Sequence, residues 1–278
     1  MIHIEFSLSK INDHNIYAQS WIPESATKGI IALVHGLGEH SGRYRHVADF
    51  FTKRGFGLIA FDLYGHGKSE GKRGFLPSEN THLVCIDKLL DYIKKEYPDK
   101  PIILYGHSLG GELVLWYSLI RKPKIKGVIS TSPLFSTYEP VNPIKILTAQ
   151  LMSKIAPSFT MDSGLNRNAL SQDDSVIYTY NNDPLVHGNL SASLGWTMLE
   201  KGKWILDQGE KFALPLLLMV GSMEKIVSIE KIEEFTKKVP KNHITYKVWD
   251  GLYHELHNEP QKHLVLGFEL DWMKQHVN

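Results

Sequence analysis

The segment GHSLG at residues 106–110 constrains the fold of this chain more than any other stretch. It fits the pattern G-x-S-x-G, in which a serine occupies a sharp turn between a buried strand and a helix. The apolar run 102–105 predicts the strand, and the run 112–121 predicts the helix. A side chain at either flanking glycine would collide with the crossing backbone, and Ser108 itself is expected at positive φ. The sequence therefore predicts a nucleophilic serine raised above the edge of a sheet.

Short apolar strands alternate with amphipathic helices along most of the chain, which indicates a parallel sheet covered on both faces. The segment 133–209 interrupts this alternation, because it carries helical runs at 143–155 and 190–206 and no convincing buried strand. It is too long for a loop inside a compact domain. We therefore expect residues 1–132 and 210–278 to form an α/β core and residues 133–209 to form an inserted helical cap. The predicted core elements are a hairpin of 2–7 and 15–21, strands at 29–34, 57–62, 102–105, 127–131, 216–220 and 245–249, and helices at 44–54, 81–97, 112–121, 229–238 and 261–276.

Composition argues against several classes of protein. A net charge of +1 over 278 residues, without a basic block, gives no sign of nucleic-acid binding. The single cysteine, Cys85, excludes a disulfide within the chain. The first residues lack the charged and apolar regions of a secretory signal, and no apolar run reaches the length of a membrane span. These observations predict a soluble cytoplasmic protein, and they leave its oligomeric state open.

Two residues after late strands are candidates to activate Ser108. A serine hydroxyl needs a base to take its proton, and the base needs a third group to hold it. Where this elbow occurs in an α/β sheet, the order along the chain is serine, acid, histidine. His254 lies in a glycine-containing loop after the strand at 245–249, and Glu224 lies in the loop after the preceding strand. We expect Ser108, Glu224 and His254 to form a catalytic triad that needs no metal and no organic cofactor. The alternative for Glu224 is an exposed carboxylate paired with Lys225.

Two backbone amides are expected to bind the oxyanion that forms when Ser108 attacks a carbonyl. One belongs to Leu109, the residue after the serine. The other belongs to Leu37, in the loop HGLG at 35–38 that follows the strand at 29–34. The glycines of this loop let the backbone approach the reacting atoms closely.

Several sequence blocks resemble the monoacylglycerol lipases, a family of the α/β-hydrolases. The blocks are HGLGEHSGRY at 35–44, DLYGHGKSEG at 62–71, GHSLGG at 106–111, YNNDPL at 180–185 and YHELHNE at 253–259. The resemblance implies a serine hydrolase that cleaves monoacylglycerols into fatty acid and glycerol. It also implies that Glu39, Arg43 and His257 bind the glycerol head group, with help from Tyr180 of the cap. The residues alone allow another interpretation, in which Glu39 and Arg43 form a local ion pair and His257 lies on the surface.

The chain departs from this family pattern at the acid, where Glu224 replaces the usual aspartate, and at Leu37, where the family often has a smaller residue. Apolar helical runs in the cap predict a surface that covers an acyl chain and touches a lipid surface peripherally. The expected partner is a monoacylglycerol or a similar lipid ester. A lysophospholipase and a general short-chain carboxylesterase are alternatives on the same frame. A non-catalytic lipid-binding module is a third alternative, and the only feature that favours it is the glutamate at position 224.

Overall fold

A computed structural model describes residues 1–277, and a mostly parallel sheet of eight strands lies at its centre. The strands of the described residues, all of which except β7 and β8 belong to this sheet, are β1 (Ile2–Ile11), β2 (His14–Ile22), β3 (Gly29–Val34), β4 (Phe56–Phe61), β5 (Ile102–His107), β6 (Gly127–Thr131), β7 (Thr160–Asp162), β8 (Asn189–Ser191), β9 (Leu216–Gly221) and β10 (Ile244–Trp249). The α-helices are α1 (Arg45–Thr52), α2 (Thr81–Glu96), α3 (Leu109–Arg121), α4 (Pro143–Ile155), α5 (Asp174–Asn182), α6 (Ala192–Asp207), α7 (Ile229–Lys238) and α8 (Lys262–Val277). Short 3₁₀ helices lie at Ser41–Tyr44, Arg167–Ala169, Gly209–Lys211 and Leu256–Asn258.

The strand order β1-β2-β4-β3-β5-β6-β9-β10 brings the candidate site residues to one edge of the sheet. Strands β3, β5, β6, β9 and β10 are parallel neighbours, so their carboxyl ends meet at this edge. Ligands of open α/β sheets bind outside the carboxyl ends of the strands. The loops that carry the predicted nucleophile, acid and base leave the sheet there. The hairpin of β1 and β2 continues the sheet on the other side in antiparallel pairing.

Apolar side chains cover both faces of the sheet, as the strand–helix alternation predicts. Along β3, Ala32 and Val34 belong to the apolar cluster on the face of the sheet that α2, α3 and α7 cover. Their neighbours Ile31 and Leu33 belong to the cluster shared with α1 and α8. Successive side chains of a strand point to opposite faces, so a strand between two helical layers is apolar at every position. The predicted α/β-hydrolase architecture is confirmed.

The segment between β6 and β9 is mainly helical and also contains one small strand pair. Helix α4 spans the run predicted from the sequence, and α6 begins two residues later than predicted. Strands β7 and β8 form an antiparallel pair that belongs to no larger sheet. Helix α5 was not predicted, since its β-branched and aromatic residues favour a strand. Asp173 caps its N-terminus by accepting a hydrogen bond from Ser175 N at 3.0 Å.

No helix within residues 1–277 is long and apolar enough to cross a membrane. The segment 133–209 contacts the core through backbone hydrogen bonds. His187 N donates to Gly38 O at 2.9 Å, and Ser191 N donates to Gly74 O at 2.9 Å. We propose that this segment acts as a cap over the carboxyl edge of the sheet.

Candidate active site

The turn at Ser108 has the strained geometry that its sequence predicts. Ser108 has φ 55° and ψ −117°, and its N–H donates to Thr131 O at 2.9 Å. A Cβ added at Gly106 would lie 2.1 Å from Gly110 O, and one added at Gly110 would lie 2.1 Å from Val34 O. Only glycine fits at either position, because real Cβ atoms do not approach a backbone oxygen that closely. The flanking glycines therefore let β5 and α3 meet at an angle that presents the serine at the sheet edge.

His254 and Glu224 form a buried hydrogen-bonded pair beside this turn. His254 Nδ1 lies 2.7 Å from Glu224 Oε2, and both residues are only 2% exposed. The other oxygen, Glu224 Oε1, accepts hydrogen bonds from Ile226 N at 2.7 Å and Val227 N at 3.2 Å. These contacts fix the carboxylate under the imidazole. The alternative of an exposed Glu224 paired with Lys225 is wrong.

The imidazole of His254 is held next to the elbow by contacts that the sequence did not reveal. The ring of His107 packs edge-on against the ring of His254, with centroids 4.8 Å apart. Ser132 Oγ donates to His254 O at 3.0 Å. The described contacts of Ser108 do not include a hydrogen bond to His254. Such catalytic hydrogen bonds often form fully only when substrate is bound.

Electrostatics in the pair favour a charged carboxylate and a basic imidazole. Burial would raise the pKa of Glu224, but the charge and hydrogen bond of His254 and the amides of Ile226 and Val227 lower it below its usual value. Burial would lower the pKa of His254, but Glu224, with Glu255 and Glu39, raises it above 6.5. An imidazole with a raised pKa is a stronger base toward a serine hydroxyl.

One predicted oxyanion donor, Leu109, follows Ser108 directly, and the other, Leu37, lies in a loop beside the elbow. A Cβ added at Gly36 would lie 3.3 Å from Ser108 Cβ, so the loop containing Leu37 packs directly on the elbow. Within residues 1–277, the N–H groups of Leu37 and Leu109 donate to no other protein group. Free amides beside a nucleophile are available to an oxyanion. Gly38, at φ 74°, ends this loop.

A guanidinium held between two carboxylates lies close to the elbow. Arg43 Nη1 donates to Glu39 Oε2 at 2.6 Å and to Glu255 Oε1 at 2.7 Å, and Nη2 donates to Glu255 Oε2 at 2.7 Å. Glu39 Oε1 also accepts hydrogen bonds from Gly36 N at 2.7 Å and from Tyr44 Oη at 2.8 Å. The local ion pair between Glu39 and Arg43 therefore exists. The bidentate partner, Glu255, was not predicted, although it follows His254 directly in the chain.

The two remaining head-group candidates lie against this cluster. His257 is fully buried, so the interpretation that placed it on the surface is wrong. Its ring stacks on Tyr44 at 4.6 Å and packs edge-on against His107 at 4.9 Å. Neither ring nitrogen has a hydrogen-bond partner in the described part of the chain, and burial lowers the pKa of His257 to about 3. Tyr180 is also buried, with its ring centroid 4.7 Å from the Arg43 guanidinium carbon.

Known proteins resemble this chain over most of its length. The family model described as "Serine aminopeptidase, S33" matches residues 25–261. A monoacylglycerol lipase of Mycolicibacterium smegmatis is 30% identical over 274 residues, which are 98% of each chain. The crystal structure of a monoacylglycerol lipase from Paleococcus ferrophilus superposes with a TM-score of 0.85 at 31% identity, covering 94% of this chain and 99% of that one. The chain belongs to the monoacylglycerol lipase family of the α/β-hydrolases.

The same fold unit also occurs within a longer protein. An uncharacterized abhydrolase domain-containing protein of Dictyostelium discoideum is 34% identical over 261 residues, and the match spans 93% of this chain but 28% of that protein. Glu224 stands where the resemblance to this family implies an aspartate. The longer side chain of Glu224 still reaches Nδ1 of His254 at 2.7 Å.

The charge of Glu224 generates a prediction about pH dependence. His254 must be unprotonated to act as a base, so kcat/KM should rise with pH through its raised pKa, above 6.5. The substitution Glu224→Gln removes the charge that raises this pKa, so the acid limb should move to lower pH. We expect the plateau rate to fall on the order of 10³–10⁴-fold, because the imidazole loses its orientation. The measurement is kcat/KM against pH with a soluble p-nitrophenyl ester.

Glu230→Gln is the matched control, because this glutamate on α7 has a side chain that is 86% exposed. This substitution should change neither the acid limb of the pH profile nor the plateau value of kcat/KM. An unshifted acid limb in Glu224→Gln would show that another group holds the imidazole.

Proposed function

We propose that this protein is a serine hydrolase that cleaves the carboxylic ester of monoacylglycerols to fatty acid and glycerol. The observation that carries the proposal is the buried His254–Glu224 pair at 2.7 Å beside an elbow serine. Membership of the monoacylglycerol lipase family supports the substrate class. No role in the proposed chemistry is left for a metal or an organic cofactor.

In the proposed acylation step, Ser108 Oγ attacks the ester carbonyl while His254 takes its proton. The carbonyl oxygen becomes an oxyanion, and the amides of Leu37 and Leu109 donate hydrogen bonds to it. The imidazolium that forms is stabilised by the Glu224 carboxylate, which stays ionised. His254 then returns the proton to the leaving glycerol oxygen as the ester bond breaks, and the acyl group remains on Ser108.

The deacylation step uses the same groups with water in place of serine. His254 takes a proton from a water molecule, which attacks the acyl carbonyl, and the same two amides bind the second oxyanion. The proton returns to Ser108 Oγ as the fatty acid leaves. His254 takes up one proton and returns one proton in each step, so it ends the cycle unprotonated.

Charges around the Arg43 cluster favour a neutral head group. Two buried carboxylates, Glu39 and Glu255, surround one guanidinium, and the negative charge of both raises the pKa of His254. A phosphate brought close to this cluster would meet net negative charge, whereas glycerol hydroxyls can donate to the carboxylates. In this proposal Glu39, Arg43, His257 and Tyr180 bind the glycerol hydroxyls. The arrangement supports a monoacylglycerol over a lysophospholipid.

The outer surface of the proposed cap fits contact with a lipid surface. Helix α4 has no buried residue, and four apolar side chains spaced along one face are strongly exposed. They are Ile144 (73%), Leu147 (66%), Leu151 (56%) and Ile155 (70%). Exposed apolar patches on soluble proteins commonly mark sites of interaction. We propose that α4 docks this enzyme peripherally on the lipid layer in which long-chain monoacylglycerols are dissolved.

A panel of esters with one acyl chain tests the substrate proposal. We expect decanoylglycerol to have a kcat/KM at least about tenfold above that of didecanoyl- and tridecanoylglycerol, decanoyl lysophosphatidylcholine and methyl decanoate. Equal rates on all esters would identify a general carboxylesterase. Faster hydrolysis of the lysophospholipid would identify a lysophospholipase.

The substitution Arg43→Ala tests the head-group role within the same panel. It should lower kcat/KM for decanoylglycerol more than kcat/KM for methyl decanoate. The ratio of the two values is informative because general damage from the unpaired carboxylates would lower both equally. Arg45→Ala is the control, because Arg45 is an exposed arginine two residues further along the chain, at the start of α1. An unchanged ratio in Arg43→Ala would contradict the role of this cluster in binding glycerol.

Vesicle sedimentation tests docking through α4. The double substitution Leu147→Ser and Leu151→Ser should weaken partitioning onto phosphatidylcholine vesicles at least about tenfold, because it removes two apolar side chains from the interface. Hydrolysis of a water-soluble short-chain ester should not change. Leu264→Ser on α8 is the control, since Leu264 is 65% exposed. Equal partitioning of the double variant and the wild type would contradict docking through this helix.

A further inference from the structure

A small cavity lies beside the first turns of α3, between the core and the proposed cap. One face of α3 lines it with Leu109, Leu113 and Trp116, and α6 lines it with Leu194 and Met198. Leu109, the residue that follows Ser108 in the chain, therefore forms part of the cavity wall. An acyl group bound to Ser108 beneath the cap would have this largely apolar space next to it.

Two buried polar groups also face this cavity, and neither has a partner there. Glu112, one helical turn after Ser108, is 1% exposed, and its Oε2 forms no hydrogen bond in the described chain. His82, in the first turn of α2, is also 1% exposed, and its Nε2 has no partner among residues 1–277. Unpaired buried polar atoms are rare in folded proteins, because burial removes their hydrogen bonds to water.

Burial disfavours the charged form of both groups. Burial raises the pKa of Glu112 well above its usual value, and burial lowers the pKa of His82 to about 3. A protonated carboxyl and a neutral imidazole each offer a donor and an acceptor. The cavity therefore matches an uncharged ligand group that donates and accepts at once. Its volume of about 10 Å³ admits a group of the size of water, such as one hydroxyl.

We propose that this cavity is a subsite of the acyl-chain pocket in which Glu112 and His82 select acyl chains that carry a hydroxyl group. The inference rests on the proposed ester hydrolysis at Ser108. A hydroxyl on the chain pairs with both orphaned groups. An unsubstituted chain in the same place leaves Glu112 and His82 without a hydrogen bond. The cavity therefore discriminates against acyl chains that lack the hydroxyl group.

The test compares glycerol monoesters of decanoic acid with those of its monohydroxylated isomers. We expect the wild type to prefer at least one hydroxylated isomer over the unsubstituted ester by about tenfold in kcat/KM. In Glu112→Leu this preference should fall to within about twofold, because the apolar side chain no longer hydrogen-bonds and packs well against methylene groups. Glu112→Gln keeps a donor and an acceptor in the same volume and should keep the preference.

Folding of each variant is checked by reaction of Ser108 with a fluorophosphonate probe. Glu112→Met, which has a flexible apolar side chain of similar length, replaces Glu112→Leu if that variant does not fold. Glu79→Gln is the control, because Glu79 lines the same cavity but has a side chain that is 54% exposed and pairs with Lys201 at 3.0 Å. It should not change the preference.

The outcome separates this inference from the proposed function. Hydrolysis of monoacylglycerols without any preference for a hydroxylated isomer would overturn the subsite alone, and the cavity would then hold only water. A preference that survives in the apolar variants at Glu112 would also overturn it. If the wild type cleaved no monoacylglycerol, the proposed function would fail. Methyl esters of decanoic acid and of its hydroxylated isomers would then be compared, and a preference for a hydroxylated chain would still support the subsite.

Discussion

The backbone at Ser108 is the constraint on which the arrangement of this site depends. A non-glycine residue held at positive φ costs on the order of 1–3 kcal/mol, so the surrounding structure must enforce it. The enforcement comes from the contact of Gly110 with Val34 O and from the hydrogen bond of Ser108 N to Thr131 O. These contacts join the elbow to the strands on both sides of β5. The same strands carry the loops that place Leu37 and Ser132. Adjacent strands therefore hold the proposed nucleophile, one proposed oxyanion donor and the hydroxyl that supports His254.

The second organising feature is an excess of buried negative charge. Glu224, Glu39 and Glu255 lie close enough to His254 to raise its pKa, and Arg43 is the cation bound between the last two. In the proposed mechanism, this excess makes His254 a stronger base and stabilises the imidazolium that forms during proton transfer. It also favours a substrate that brings hydroxyl groups rather than phosphate. The same buried negative charge thus explains both the raised pKa of His254 and the proposed preference for an uncharged head group.

Much of the fold could be predicted because short-range patterns determine it. The elbow motif, the apolar strands and the helix α4 are readable from periodicity and glycine spacing alone. The hydrogen bond between Glu224 and His254 follows from chain order in a parallel sheet. Contacts between distant segments could not be predicted. Glu255 was missed because its partner Arg43 is 212 residues away. The burial of His257 was missed because the rings of Tyr44 and His107, from a distant 3₁₀ helix and strand, pack against it. The cavity at Glu112 and His82 is similarly formed by helices that meet only in the folded chain.

Covalent labelling of the nucleophile tests the central claim most directly. The protein is reacted with a fluorophosphonate probe and analysed by intact mass and peptide mapping. The account predicts a single adduct on Ser108, no adduct on Ser108→Ala and loss of monoacylglycerol hydrolysis in step with labelling. An adduct on another residue, or a Ser108→Ala variant that still hydrolyses monoacylglycerol at the wild-type rate, would contradict it.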